Sequence, residues 1–584
     1  MPSPIRYDIS IADAAAHLFE VTLRIARPAP EGQTLMMPAW IPGSYLIRDF
    51  ARHVVHIEAQ GGNREIAITR ADKQRWRCAP CRGPLVVRYR IYAWDLSVRG
   101  AHLDQTHAFF NGTSVFLQAE GQEESACEVQ IHAPRASWAR GWRVATALPR
   151  DGAPLWGFGR YRAENYDELI DHPVEIGHFR DLSFRVGGAE HVVVLSGADD
   201  ADLDRIGRDL KRVCATQIAL FEPRTKRAPI DRYLFLTYAV GEGYGGLEHR
   251  SSTALICARN DLPFRGMKGV PERYRTFLGL ASHEYFHTWN VKRIKPQAFV
   301  PYRLDRENVT RLLWVFEGFT SYYDDVMLVR SGVISLDDYL DTLGKTISGV
   351  QRGPGRSLQS VSDSSFDAWT RFYRQDENAP NAIVSYYTKG SLIALALDLT
   401  IRQRSDHKRS LDDVMRLLWQ RFGRDFHRRP GGVPEDAMAD LIREATGVDV
   451  GNEIRRWVDA CEDPPLARLL ARAGFKVEAR ACEDSPVWLG ARCADAEGAV
   501  RLTQVLSGGP AHLAGLSASD RLIALDEMRV DGQRGLEAWL ARRSPGDSAV
   551  AHVFRGDRLM QFRLELRAPP ATRVVLTHEP PPAS

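Results

Sequence analysis

The stretch PERYRTFLGLASHEYFHTWN, residues 271–290, contains the pattern His-Glu-x-x-His, which begins at His283 and ends at His287. Apolar residues recur through it at intervals of three or four, at Tyr274, Phe277, Leu278, Ala281 and Tyr285. That spacing predicts a helix with one face in a core, and Pro271 suits its first position. Side chains four residues apart lie on one helical face, so the two histidines can bind one metal ion. Glu284 is turned about 100° away, which suits a base acting on water beside the metal.

A catalytic zinc ion needs a third protein ligand, and two downstream glutamates are candidates. Glu307 follows Arg306 in a charged segment and has the character of an exposed residue at a helix start. Glu317 lies in LLWVFEGFTSYY (312–323), where the aromatic neighbours indicate burial. A buried carboxylate without a cation or metal is costly, so the sequence favours Glu317 and leaves Glu307 as the alternative. The surrounding segment, 309–332, predicts a second helix with Asn308 and Gly332 as its caps.

The segment GEGYGG, residues 241–246, fits the dinucleotide-binding pattern Gly-x-Gly-x-x-Gly and follows a strand-like run at 232–240. A dinucleotide loop must lead into a helix, because the helix N-terminus receives the pyrophosphate. The continuation LEHRSSTALICARN, residues 247–260, is instead typical of a strand. The sequence therefore argues against a nucleotide site.

The composition is that of an ordinary globular protein, with 584 residues, 44% of them hydrophobic, and a formal net charge of only +3. This charge gives no reason to expect nucleic acid or an anionic membrane as a partner. The N-terminus is interrupted by Asp8 and Asp13 before an apolar run can form, so we expect no signal peptide and a cytoplasmic location. Cys78 and Cys81 have the C-x-x-C spacing, but a hairpin turn through Pro80 explains them better than a redox or zinc pair.

Several motifs together resemble a known group of enzymes. HEYFHTWN (283–290) followed by EGFTSYY (317–323) resembles the gluzincin, thermolysin-like metallopeptidases. GGLEHR (245–250) resembles the G-x-M-E-N strand of zinc aminopeptidases, and the segment from Tyr387 to Gly390 resembles their Y-x-K-G motif. The segment 500–532 resembles a bacterial PDZ domain. This order of motifs is similar to that of the glycyl aminopeptidase family, metallopeptidase family sixty-one, although Glu317 follows His287 at a longer distance than in the commoner zinc aminopeptidases.

The resemblance implies a multidomain α+β protein with several parts. We expect an all-β, sandwich-like domain at 1–185, a gluzincin catalytic domain at 186–390 and its helical part at 391–468. A PDZ domain is expected at 469–568 and a disordered tail at 569–584. Independently of the resemblance, Val87, Tyr89 and Ile91 alternate with Arg88 and Arg90 as in a half-buried strand.

The resemblance also implies a zinc-dependent aminopeptidase that removes small N-terminal residues, Gly or Ala, from peptides. One zinc ion per chain would be held by His283, His287 and Glu317, with Glu284 as general base. Tyr387 would stabilise the oxyanion, with the adjacent Tyr386 as the alternative. Gly245 and Gly246 would lie on an edge strand that pairs with the peptide, and Glu248 would bind its α-ammonium group. The competing interpretation of Glu248 is a surface carboxylate paired with Arg250.

Two other functions remain open from the sequence. One is a zinc endopeptidase whose PDZ domain selects protein substrates, and the other is a non-catalytic PDZ scaffold. Trp488-Leu-Gly-Ala491 occupies the position of a carboxylate-binding loop, so the domain could capture a peptide terminus. It could equally pack against the catalytic part and bind nothing.

Overall fold

The computed structural model describes residues 3–578. Within that range the chain forms two compact units. The first contains the described residues up to Asn308, together with 323–334 and 415–434. The second contains 309–322, 335–414 and the described residues from Glu435 onward.

The chain up to Gly177 is built mainly from strands, which confirms the β-rich N-terminal region. They are β1 (Ile5–Asp13), β2 (Leu18–Ile25), β3 (Thr34–Met36), β4 (Val54–Gly61), β5 (Arg64–Ile66), β6 (Ile68–Arg70), β7 (Arg75–Cys78), β8 (Leu85–Tyr92), β9 (Ala101–Leu103), β10 (His107–Phe110), β11 (Gln118–Ala119), β12 (Cys127–Ile131), β13 (Arg143–Thr146), β14 (Gly159–Ala163) and β15 (Val174–Gly177), with two short helices, α1 (Gly112–Val115) and α2 (Tyr166–Ile170). Their sheet orders are β14-β12-β1-β2-β8-β4-β5, β13-β15-β10-β9 and β11-β3-β7-β6. In β8 the predicted alternation holds, with Tyr89 buried and Arg88 exposed, so this sheet presents one face to a core.

A five-stranded sheet and two helices complete most of the first unit. The strands are β16 (Arg180–Val186), β17 (Ala189–Ser196), β18 (Arg232–Val240), β19 (Tyr244–Glu248) and β20 (Ser252–Ala258), and the helices are α3 (Leu203–Phe221) and α4 (Glu272–Phe286). The order is β16-β17-β18-β20-β19, so β19 lies at the edge. The segment 247–260, predicted as one strand, is divided between β19 and β20 by a tight turn that His249 and Ser252 close with a backbone hydrogen bond. No helix follows the glycines, as the sequence argument against a nucleotide loop requires.

The predicted helix of the central pattern is confirmed, whereas the next helix begins later than predicted. All five apolar residues of the α4 stripe are buried, and the helix starts one residue after Pro271. Downstream, residues 309–312 are not helical. A π-helical turn, Trp314–Gly318, leads into α5 (Phe319–Arg330). Asn308 does not cap this helix, because its side chain bonds the backbone of Arg303 and Arg306 in the preceding loop.

The second unit contains a helical region and a C-terminal β module. The helices are α6 (Leu336–Arg352), α7 (Val361–Phe366), α8 (Ala379–Ala382), α9 (Thr388–Arg404), α10 (Leu411–Leu418), α11 (Met438–Thr446), α12 (Gly451–Ile454) and α13 (Leu466–Arg472), of which α10 belongs to the first unit from Met415 onward. The C-terminal elements are β21 (Phe475–Arg480), β22 (Ala491–Ala496), β23 (Ala499–Val505), α14 (Pro510–Ala514), β24 (Arg521–Leu525), β25 (Met528–Arg529), α15 (Gln533–Leu540), β26 (Ser548–Arg555), β27 (Arg558–Glu565) and β28 (Arg573–His578). The module has the sheet order β22-β23-β24-β26-β27, with β25 beside β24.

The C-terminal tail begins later than the sequence predicts. Strand β28 pairs antiparallel with β21, so residues 573–578 belong to a sheet rather than to a disordered tail from 569 onward. The apolar run 574–576 in β28 explains this, since Val574 and Leu576 are buried. The proline-rich end, 579–584, lies outside the described residues.

Candidate active site

The His-Glu-x-x-His pattern occupies the last turn of α4, in the first unit. His287 directly follows the final helical residue, Phe286, and the His287 N–H still bonds the His283 carbonyl. A ring nitrogen of His283 lies within 4.8 Å of one of His287. This geometry follows from the four-residue spacing on a helix, and it suits two ligands of one metal ion.

Each of the two imidazole rings is oriented by a hydrogen bond at Nδ1. His283 Nδ1 lies 2.9 Å from Asp324 Oδ2, and His287 Nδ1 donates to the Asn290 carbonyl oxygen over 2.6 Å. Bonds of this kind fix the tautomer of a metal-binding histidine and leave Nε2 as its ligand atom. The sequence analysis did not identify Asp324. Asp324 and Asp325 are adjacent acidic residues in a helix that contains no other carboxylate, and this pattern could have drawn attention to them.

Glu284 is close to Glu248 on the edge strand. One carboxylate oxygen of each and a ring nitrogen of His287 all lie within 4.8 Å of one another. Glu248 is only 3% exposed and Glu284 only 5%. The structure thus gathers the candidate amine-binding carboxylate and the candidate base around one histidine.

Gly246 allows the edge strand to approach α4 this closely. A Cβ atom at Gly246 would lie 2.0 Å from Glu284 Oε1, a distance that no side chain can adopt. At Gly245 a Cβ would make only an ordinary contact, 3.6 Å from Arg99 Nη1. Gly246 is therefore required by the site, whereas Gly245 tolerates a side chain sterically.

A loop of the N-terminal β region also contacts Glu248. Gly43 has a φ of 101°, and a Cβ there would lie 2.6 Å from Glu248 Oε2. Both the left-handed backbone and the close approach therefore require glycine. Sequence reasoning missed Gly43, because a single glycine more than two hundred residues away carries no local sign of this contact.

A buried ionic cluster lies immediately beyond Glu248. Asp171 accepts a hydrogen bond from His249 Nδ1 at 3.1 Å and forms ion pairs with Arg250 Nε at 2.8 Å and Lys292 Nζ at 2.7 Å. Burial would raise the pKa of Asp171, but Lys292, Arg250 and His249 hold that pKa well below its usual range. Arg250 thus binds Asp171 and Asp167. The alternative of a surface Glu248 paired with Arg250 is wrong, since Glu248 is buried.

Glu317 and the two candidate tyrosines lie in the second unit. Glu317 is on the π-helical turn and is 2% exposed, whereas Glu307 is exposed. A Cβ on the next residue, Gly318, would lie 2.7 Å from the Gly390 Cα, so this turn packs directly on the start of α9.

The two tyrosines before α9 differ in accessibility. Tyr386 is fully buried, at 0% exposure. Tyr387 is half-buried, and its hydroxyl lies 3.0 Å from that of Tyr373. The Tyr386 hydroxyl is therefore closed to solvent, whereas the Tyr387 side chain is partly accessible.

The C-x-x-C pair has no catalytic character. Cys78 and Cys81 are both free thiols. Burial, with a smaller contribution from Cys81, raises the pKa of Cys78 to about 12. A thiol with so high a pKa is protonated near neutral pH and is a poor nucleophile and metal ligand.

Comparison with known proteins shows the same order of domains. Residues 6–178 match the Peptidase M61 N-terminal domain, residues 276–393 match M61 glycyl aminopeptidase, and residues 487–566 match a PDZ domain. The crystal structure of an aminopeptidase N family protein from Idiomarina loihiensis is 43% identical, with a TM-score of 0.94, over 99% of this chain and 98% of that chain. The chain belongs to the M61 glycyl aminopeptidase family. As a family member it is a metallopeptidase that acts as an aminopeptidase.

The other comparisons give less information about this M61 enzyme. An M1 zinc metallopeptidase from Deinococcus radiodurans is 12% identical, with a TM-score of 0.49, over 80% of this chain and 95% of that chain. No curated protein matches the chain. Among residues 3–578, no helix has the length and apolar character needed to cross a membrane.

Proposed function

We propose that this enzyme is a zinc aminopeptidase that removes small N-terminal residues, Gly or Ala, from peptides. His283, His287 and Glu317 would hold one zinc ion per chain. The observation that carries the proposal is the buried group formed by Glu248, Glu284 and His287, whose ligand atoms lie within 4.8 Å of one another. It pairs a carboxylate suited to an ammonium group with a carboxylate suited to proton transfer.

The residues fit a catalytic zinc ion by their chemistry. Two imidazoles and one carboxylate are a known ligand set of zinc peptidases. The Nδ1 hydrogen bonds of His283 and His287 leave the Nε2 atoms as the ligating nitrogens. When bound, zinc acidifies water and polarises the scissile carbonyl group. The preference for zinc over other metals rests on this donor set.

Protein side chains would carry the proton and the developing charge. The Glu284 carboxylate takes a proton from the attacking water and passes it to the departing amine. The Tyr387 hydroxyl donates a hydrogen bond to the oxyanion. The partial exposure of Tyr387 and the full burial of Tyr386 support this assignment over the alternative.

Glu248 would restrict the enzyme to peptides with a free N-terminus. Its carboxylate is buried beside Glu284, where a substrate ammonium group would neutralise it. Burial strengthens the attraction between this carboxylate and a substrate ammonium group, because the effective dielectric constant is lower there than in water. The preference for Gly and Ala is supported by the description of the family, glycyl aminopeptidase.

The decisive experiment compares Gly-Ala-Phe with its N-acetylated form. We expect hydrolysis of the free-amine peptide only, with release of glycine, and no hydrolysis after zinc removal. Glu248→Gln should lower kcat/KM for the free peptide by about tenfold or more, since a hydrogen bond to a charged group is lost. Glu307→Gln, which removes an exposed carboxylate, is the matched control. Cleavage of both peptides at an internal bond would instead support the endopeptidase alternative.

A second prediction concerns the carboxylate behind His283. Asp324→Asn should weaken zinc binding by about 10- to 100-fold, because the hydrogen bond that orients the ring is weakened. Competition with a chromogenic chelator measures this affinity directly. Asp325→Asn is the matched control, since it removes the neighbouring half-buried carboxylate without changing the bond to His283. Equal losses in both variants would assign the effect to local charge and not to ring orientation.

A further inference from the structure

The first unit contains a cavity of about 800 Å³ whose lining is rich in arginine. The lining comes from the end of α3 with the loop that follows it, 221–229, from Arg293 and from the segment 416–427. Its basic side chains are those of Arg224, Arg227, Arg293, Arg416, Arg424 and His427. None of the residues proposed above for catalysis or metal binding lines it, so the proposed function leaves this cavity without a role.

Two of these arginines already bind other parts of the protein. Arg416 Nε donates to the Leu220 carbonyl oxygen at the end of α3 over 2.9 Å. Arg424 pairs over 2.7 Å with Glu222, the carboxylate of the lining, and Trp419 Nε1 donates to the same carboxylate over 2.8 Å. Burial would raise the pKa of Glu222, but the hydrogen bonds from Trp419 and Arg424 hold that pKa below its usual value. The lining carboxylate is therefore ionised and already neutralised by Arg424.

Arg293 brings a buried positive charge that has no carboxylate partner. It is 5% exposed, and Nη1 donates to the carbonyl oxygens of Thr288 and Arg250 over 2.8 and 3.1 Å. Nη2 lies 3.4 Å from the Pro229 carbonyl oxygen. Within the described part of the chain, Arg293 forms no ion pair. Buried charges in proteins are ordinarily paired, so an anion in the cavity would supply the missing counter-charge.

Arg224 and Arg227 add two further positive charges to the lining. Both are exposed, and neither forms an ion pair with any of residues 3–578. The resulting electrostatic field acts on His427. Burial lowers the pKa of His427, and Arg293 and Arg250 lower it further, whereas Glu168 acts in the opposite direction. The cavity thus combines one buried and two exposed guanidinium groups that lack counter-charges.

We propose that this cavity binds the phosphate group of a small molecule. Three guanidinium groups without counter-charges suit an anion with two or more negative charges, and guanidinium binds phosphate through paired hydrogen bonds. The volume of about 800 Å³ lies within the usual range for small-molecule sites, about 300–1,000 Å³. The ligand is an inorganic polyphosphate or an organic phosphate ester, which share this group. The site is independent of the proposed peptidase reaction.

The test measures the binding of pyrophosphate to the full chain by calorimetry, in chloride buffers of constant ionic strength. We expect a dissociation constant below about 1 mM, equivalent to about −4 kcal/mol. The double variant R224Q/R227Q should bind at least about tenfold more weakly, because hydrogen bonds to a charged group are lost. The matched control is R428Q/R429Q, which removes two exposed arginines from a neighbouring segment outside the cavity. Its affinity should remain that of the unmodified enzyme.

A second measurement locates the ligand. Saturation with pyrophosphate should raise the pKa of His427, because an anion beside Arg293 offsets the field of the guanidinium groups. The pH titration of the histidine ring signals by NMR measures this pKa, and the signal absent from His427→Gln identifies the residue. An unchanged pKa of His427 in the pyrophosphate-saturated enzyme would place the anion elsewhere and refute the proposal.

Two calorimetric results would also overturn the inference. One is binding weaker than about 1 mM, that is, a free energy smaller than about 4 kcal/mol. The other is an equal loss of affinity in R224Q/R227Q and R428Q/R429Q, which would show attraction to the overall charge and not to a site. A parallel titration with glycerol 3-phosphate distinguishes the two sources of the phosphate group. Tighter binding of the ester supports an organic ligand of the site, and tighter binding of pyrophosphate supports an inorganic one.

Discussion

A Glu284→Gln variant should lose about 10²- to 10⁴-fold in kcat, the range expected when a general base is removed. The glutamine keeps the shape of the side chain against Gly246, where the present fit is tight, but it cannot accept the proton of the attacking water. Zinc content should remain that of the unmodified enzyme, because Glu284 is not among the proposed ligands. Steady-state hydrolysis of glycine p-nitroanilide and elemental analysis of the purified protein measure the two quantities.

Glu272→Gln provides the matched control for that experiment. Glu272 lies in the exposed first turn of the same helix, α4, so the substitution changes the helix charge equally but leaves the site intact. We expect little change in kcat. A Glu284→Gln enzyme that keeps more than about a tenth of the activity would exclude the proposed base. Loss of zinc together with activity would instead assign Glu284 a role in metal binding.

Helix α4 could be predicted from the sequence, whereas the start of α5 could not. The α4 stripe recurs at helical spacing, and the same spacing sets the distance between the two histidines. Before α5, the apolar run from Leu312 to Phe319 contains no proline that would stop a helix. The chain nevertheless forms a π-helical turn at Trp314–Gly318. The tight contact of Gly318 with Gly390 involves residues 72 positions apart (390 − 318), which a local pattern does not reveal.

The residues of the candidate site also divide into those that the sequence predicts and those that it does not. Motifs with fixed spacing or local resemblance identified the histidines, Glu284 and the glycine-rich strand. Gly43, Asp171 and Asp324 were missed, because each contacts its partner across a long separation in sequence. The sequence did indicate that Glu317 is buried. It did not indicate that Glu248 would be, since β19 lies at the edge of its sheet and an edge residue is ordinarily exposed.

Tyr387→Phe should reduce kcat by about 10²- to 10³-fold, with little change in KM, as expected for the loss of one oxyanion donor. The hydrogen bond it supplies would strengthen as the carbonyl oxygen becomes negative, so its loss affects the transition state more than the bound substrate. The remaining phenylalanine preserves the packing against Phe372, 5.6 Å away between ring centres. Steady-state kinetics with glycine p-nitroanilide separates kcat from KM.

Tyr386→Phe is the control that distinguishes the two adjacent tyrosines. Tyr386 is fully buried, and its hydroxyl has no hydrogen-bond partner among the described residues. Removal of this hydroxyl should therefore leave kcat nearly unchanged and change the free energy of unfolding by less than about 1 kcal/mol, since no hydrogen bond is lost. If Tyr386→Phe abolishes catalysis while Tyr387→Phe does not, the Y-x-K-G alignment is displaced by one residue. In that case the helix start at α9 would have to turn by about 100° to bring the Tyr386 hydroxyl to the substrate, a rearrangement that the close contact between Gly318 and Gly390 opposes.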